Sequence, residues 1–83
     1  MAWEEKNYKL TCTFLFKDFK TAFSFVSKVA ELAESEKHHP DIFISYNKVS
    51  MMLSTHDAGN KVTDKDRKMA EDIDILYASY SVL

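Results

Sequence analysis

The stretch Tyr8-Lys9-Leu10-Thr11-Cys12-Thr13-Phe14-Leu15-Phe16 changes character at Asp18-Phe19, and that change decides the fold class. Leu10, Cys12, Phe14 and Phe16 lie on one side of an extended chain, Thr11 and Thr13 on the other, with Leu15 the exception. A period of two in aromatic and β-branched residues reads as a strand with one buried face. Past Asp18 the period becomes helical: Phe19, Ala22, Phe23, Val26, Val29, Ala30 and Ala33 predict one apolar stripe on a helix running to about Lys37. Asp18 is placed to cap it, accepting from free backbone N–H groups. Phe25 and Leu32 fall outside that stripe, seven residues apart. Either they meet a helix of another subunit or they widen the core stripe.

Working outward, Trp3 to Lys6 reads as a short partner strand, turning near Lys6-Asn7. Pro40 disfavours the α conformation at His39 and helps end the first helix. Ile42 to Tyr46 and Val49 to Thr55 read as two strands joined at Asn47-Lys48, with Val49, Met51, Leu53 and Thr55 on one face. Asp57 to Val62 is a polar loop holding the only glycine, Gly59. Thr63 then caps a second helix, with Asp66 at N3 in a capping-box pattern and Met69, Ala70, Ile73, Leu76 or Tyr77, and Tyr80 as its stripe. The expected architecture is α+β: a four-stranded, mainly antiparallel sheet with two helices packed on one face, in the order β-β-α-β-β-α. One parallel pair stays open, because the first helix separates the two strand pairs.

The 83 residues predict a single domain spanning 1–83. A domain this small is marginal alone and gains from oligomerisation. Hydrophobic residues make up 46% with one Gly and one Pro, which argues against a disordered chain. The net charge of −2 offers no basic field for a phosphate backbone, so no direct nucleic-acid binding is expected. Cys12 is the only cysteine, so no internal disulfide forms. The start lacks a signal-peptide apolar core and no run reaches the ~20 apolar residues of a membrane span. A cytoplasmic protein without membrane association is the expectation.

All three histidines lie between residues 38 and 56, as His38-His39-Pro40 and then His56. His38 and His39 stand where a helix ends, and His56 where a strand ends. If those ends meet, three imidazoles line one pocket and can give and take protons near neutral pH. Glu34 lies one helical turn before His38, where it can orient an imidazole or bind a substrate N–H. A helix-end histidine is equally explained as a surface residue favoured by the helix dipole. Adjacent histidines without CxxC or HxxxH spacing argue against a metal site. Cys12 alternates with core residues and reads as core, not nucleophile. A capping role suffices to explain Asp66. Trp3 is explained by packing near a terminus, although its ring at a pocket rim would suit a flat heterocycle.

Glu34-Ser35-Glu36-Lys37-His38-His39-Pro40, then Tyr46-Asn47-Lys48-Val49, then Leu53-Ser54-Thr55-His56-Asp57, resembles the pterin-4a-carbinolamine dehydratase family. Phe16-Lys17-Asp18-Phe19 with Ala22-Phe23 is similar to that family's entry to its first long helix, and the resemblance runs from Trp3 to about Ile73. It implies an enzyme that dehydrates 4a-hydroxytetrahydrobiopterin to quinonoid dihydrobiopterin in tetrahydrobiopterin recycling, with no metal or other cofactor. It implies His38 and His56 as acids for the departing hydroxyl, and His39 as a pterin-binding group that assists proton removal. Glu34, Trp3, Pro40 and Asp66 would complete the substrate site. It also implies a homodimer or homotetramer built through strand edges and the long helix. Ile42 stands where the family usually carries Trp, and the loop after His56 is about one residue longer than the common form. The alternative within this resemblance is a non-catalytic paralogue, a protein-binding cofactor for dimerisation or assembly like the one that serves a homeodomain factor in animals.

Overall fold

Asn7 and Tyr8 both take positive φ (53° and 65°), a two-residue connection whose twist matches that of the strands it joins. It links β1 (Glu4–Lys6) to β2 (Lys9–Leu15). The chain continues through α1 (Phe19–Glu36), β3 (Asp41–Ser45), β4 (Lys48–Leu53), a single 3-10 turn at His56–Ala58, and α2 (Asp64–Ala78). These elements come from a computed structural model that describes residues 3–80. The sheet order is β1-β2-β4-β3 with every pair antiparallel, so the parallel neighbour left open by the sequence does not form.

Register turns the alternating pattern into one apolar face. Leu10 pairs with Leu53, Cys12 with Met51 and Phe14 with Val49, while Ile42 and Ile44 of β3 meet Met51 and Val49 from the other side. Phe14, Val49, Met51 and Leu53 are fully buried beneath the helices, together with Phe25, Val29, Met69 and Ile73. The other face carries Thr11, Thr13 and Ser50, with Thr13 and Ser50 hydroxyls 3.1 Å apart. The β3–β4 turn falls on Tyr46-Asn47, one residue before the expected position, and Lys48 already pairs with Ser45. Asn47 explains the shift. Its backbone C=O accepts from Phe16 N–H at 2.9 Å and its side-chain amide donates to the Phe16 C=O at 3.1 Å, pinning the turn to the end of β2.

Asp18 caps α1 as expected, accepting from Thr21 N–H at 2.8 Å. The helix is rotated from the expected stripe. Ala22, Phe25, Val29 and Ala33 are buried, and Leu32 packs partly against the core, so the wide-stripe reading of Phe25 and Leu32 is the one realised. Phe19 and Phe23 are half exposed instead, stacked at 6.0 Å on the helix flank. The cause is an aromatic cluster. Phe25 sits 5.2 Å from Phe14, 5.1 Å from Phe16, 5.7 Å from Tyr77 and 5.6 Å from Tyr80, contacts that Phe23 on the flank does not make. Tyr77 also donates to the Leu15 C=O at 2.8 Å, tying α2 to the end of β2.

This rotation is directly testable. Phe25→Ala should cost about 3–5 kcal/mol in urea unfolding, while Phe23→Ala should cost under about 1 kcal/mol. The reverse ranking would place the other face of α1 against the sheet.

Candidate active site

Lys37 ends α1 in the left-handed region (φ 53°), where glycine is usual. The His38 N–H then bonds the Ala33 C=O at 3.1 Å, a six-to-one closure that turns the chain sharply. The consequence is that two adjacent histidines diverge. His38 points inward and is 8% exposed, while His39 stays at the surface.

Inside, His38 Nε2 lies 2.6 Å from Asp66 Oδ1. Asp66 is fully buried, and its other oxygen accepts from Thr55 Oγ1 at 2.7 Å and from Thr63 N–H at 2.9 Å. The last bond is half of the expected capping box at the start of α2. Thr63 and Thr55 hydroxyls are 2.5 Å apart. Since Thr55 spends its only proton on Asp66, Thr63 must donate to Thr55. Burial pushes the Asp66 carboxyl up, but the Thr63 N–H, His38 and Thr55 together outweigh it and hold the group below the usual carboxylate range.

His39 Nε2 lies 2.6 Å from Glu34 Oε2, in a pair that is mostly exposed. His56 begins the 3-10 turn after β4, and its Nδ1 lies 3.0 Å from Asn60 Oδ1. The loop that returns Asn60 to His56 is closed by Thr55 N–H to the Lys61 C=O (2.9 Å) and Asn60 N–H to the Thr55 C=O (3.1 Å). Gly59 and Asn60 take consecutive left-handed conformations (φ 83° and 58°), which glycine and asparagine accept most readily.

A cleft of about 220 Å³ is lined by His38, His39 and His56, with Lys37, Asp57 and Lys65 around them. The helix end and the strand end thus do bring the three imidazoles to one place. The remaining expected residues are distributed differently. Glu34 reaches the site by holding His39. Asp66 lies beneath the cleft, behind His38, with its bonding capacity taken up by protein groups. Trp3 and Pro40 are not among the cleft-lining residues. Trp3 donates its indole N–H to Asp74 Oδ1 at 3.0 Å and sets its ring edge-on to Phe14, so the packing explanation describes it. Cys12 is buried in the core; burial, helped by the Asp74 charge, pushes its thiol up, away from nucleophile chemistry. No group of three or more His, Cys, Asp or Glu side chains among the described residues is arranged to hold a metal.

Lys65, Asn60 and Thr55 were not legible as site residues. Lys65 is visible only once Asp66 is known to face inward, which turns its neighbour toward the cleft mouth. Asn60 and Thr55 depend on loop closure that no spacing rule encodes.

A model of the family described as pterin 4 alpha carbinolamine dehydratase matches residues 1–76. The chain belongs to the pterin-4a-carbinolamine dehydratase family. A relative from Thermomicrobium roseum is 49% identical over 73 residues, covering 83% of this chain and 77% of its own. One from Sulfurisphaera tokodaii is 50% identical over 74 residues, covering 89% and 78%. Both carry the name pterin-4-alpha-carbinolamine dehydratase provisionally. A crystal structure of a transcriptional coactivator/pterin dehydratase from Brucella melitensis superposes with a TM-score of 0.83 at 41% identity, covering 89% of this chain and 80% of that one. A pterin dehydratase-like protein described as a RuBisCO assembly factor of the alpha-carboxysome superposes at 0.79 with 23% identity, covering 92% and 89%. That second likeness is one of fold. Among the described residues no helix is long and apolar enough to cross a membrane.

In this family member the buried Asp66 yields a prediction with a definite sign. Its folded carboxyl gives up a proton more readily than an unfolded one, so its stabilisation is complete above the unfolded value of about 3.9 and is lost as pH falls through the lower folded value. Asp66→Asn should cost about 2–4 kcal/mol at pH 7, since the amide accepts at one atom where the carboxylate accepts at two, and the charge that strengthens all three bonds is lost. In urea titrations that gap should narrow as pH drops below about 4. A gap independent of pH would mean Asp66 is not ionised in the folded protein.

Proposed function

We propose that this chain removes water from a 4a-hydroxytetrahydropterin, with 4a-hydroxytetrahydrobiopterin as the reference substrate, in tetrahydrobiopterin recycling. The observation that carries the reading is the convergence of three imidazoles on one cleft, each fixed through one nitrogen to a different acceptor. Dehydration breaks the C4a–O bond, whose electron pair leaves with oxygen. One proton goes to that oxygen and one leaves ring N5, forming the C4a=N5 bond of the quinonoid dihydropterin. The proton count balances, so a pair of imidazoles, one acid and one base, suffices.

In this reading His38 and His56 deliver the proton to the departing hydroxyl. His39, held by Glu34, binds the pterin and assists removal of the N5 proton. Asp66 acts by fixing the ring of His38. The alternative, a partner-binding scaffold without turnover, leaves the exposed His39–Glu34 pair and His56 with no task, whereas the buried His38–Asp66 pair serves stability in either case. The same reading includes a homodimer or homotetramer in the cytoplasm. It is supported by two surfaces a second copy would cover: the edge strand β3 with Phe43 64% exposed, and the Phe19/Phe23 flank of α1.

Stopped-flow dehydration of synthetic 4a-hydroxytetrahydropterin tests the reading. The wild type should accelerate the reaction, and His39→Ala and His56→Ala should each lower kcat by about 10²–10⁴-fold with the fold intact, since both side chains are exposed. His38→Ala should lose both rate and stability. A folded wild type that gives no acceleration would reject the enzyme in favour of the scaffold.

A further inference from the structure

The three imidazoles are not held alike. His38 and His39 are each held through Nε2 by a carboxylate, whereas His56 is held through Nδ1 by the amide oxygen of Asn60, 3.0 Å away. An amide oxygen can only accept, so the proton of this bond sits on Nδ1 of His56. We propose that Asn60 is a positioning residue that fixes the tautomer of His56, leaving Nε2 as the nitrogen that exchanges protons in the cleft. With Nδ1 always protonated, neutral His56 presents a lone pair at Nε2 and the cation presents an N–H at the same atom. Acid and base forms therefore act at one point in space, and no ring flip is needed between them.

Asn60 is suited to this by its backbone. It follows Gly59 in a second left-handed conformation, and its N–H is bonded to the Thr55 C=O at 3.1 Å, so the side chain is returned to His56 by a closed loop. The partner is neutral, so it orients the ring without adding a fixed charge. The charged and titratable groups around His56 in the cleft are Lys37, His38, His39, Asp57 and Lys65. His56 Nδ1 is bonded to Asn60 and to none of these.

The effect on rate rests on the dehydratase reading; the tautomer does not, which keeps the two separable. The test uses the full chain, with ¹⁵N NMR of the histidine rings and dehydration kinetics on the wild type, Asn60→Gly and Asn60→Asp. Glycine keeps the left-handed backbone without strain, so the loop survives the loss of the amide. In the wild type, neutral His56 should carry its proton on Nδ1. Asn60→Gly should move it largely to Nε2 and lower kcat about tenfold with little change in KM. Asn60→Asp should restore the Nδ1 proton and the rate, with the pH–rate profile displaced upward because a carboxylate favours the imidazolium. A wild-type proton on Nε2, or a tautomer unchanged in Asn60→Gly, would overturn the proposal. An Asn60→Gly variant with the altered tautomer and the wild-type rate would overturn its role in proton exchange. Wild type with the Nδ1 proton but no dehydration would leave tautomer control standing and remove the dehydratase reading instead.

Discussion

One buried carboxylate joins the elements that meet at the histidine-lined cleft. Asp66 accepts from the end of β4 through Thr55, from the first turn of α2 through Thr63, and stands against His38 from the segment after α1. A fully buried carboxylate is tolerated only when its lone pairs are occupied, and here three protein groups occupy them. The same bonds that make Asp66 tolerable also fix the relative positions of a strand end, a helix start and a loop. The cleft opens where those three meet. Stability and site geometry are thus one constraint, and the site cannot loosen without exposing an unsatisfied charge.

The sequence was most legible where a single periodicity or a single local motif dominated. The alternation of Leu10, Cys12, Phe14 and Phe16 produced β2 with the expected buried face. Asp18 and the Thr63/Asp66 box marked the helix starts, because capping is settled within four residues. The rotation of α1 was not legible. With apolar residues at 19, 22, 23, 25, 26, 29 and 33, more than one stripe satisfies helical spacing. The choice is made by Tyr77 on α2 and Tyr80 just beyond its end, some fifty residues later, which enclose Phe25. The turn between β3 and β4 shifted for a similar reason, since Asn47 is committed to Phe16 on a distant strand.

The site divides in the same way. The meeting of His38, His39 and His56 followed from where helix and strand ends fall, whereas helical spacing set Glu34 against His38 and the left-handed turn at Lys37 gives it His39 instead. The inward role of Asp66 was hidden behind its capping role, since one carboxylate performs both. Its two oxygens make this possible: Oδ2 closes the cap and Oδ1 holds the imidazole. Trp3 is engaged elsewhere. An indole near a cleft-forming sequence suggested a stacking surface, yet its N–H is bonded to Asp74 and its ring edge meets Phe14. A large aromatic ring in an 83-residue chain is more valuable as core than as rim.

The imidazoles also differ in how freely they can move. The His38–Asp66 pair has side-chain exposures of 9% and 0%, whereas the His39–Glu34 pair has 61% and 78%. An exposed pair is worth at most about 1 kcal/mol, so His39 can leave Glu34 and return. His38 has no such freedom, because separating it from Asp66 would strand a buried charge. The left-handed turn at Lys37 thus yields one fixed imidazole and one adjustable one from two adjacent residues. The difference comes from their carboxylates: Asp66 is buried and also held by Thr55 and Thr63, while Glu34 is exposed.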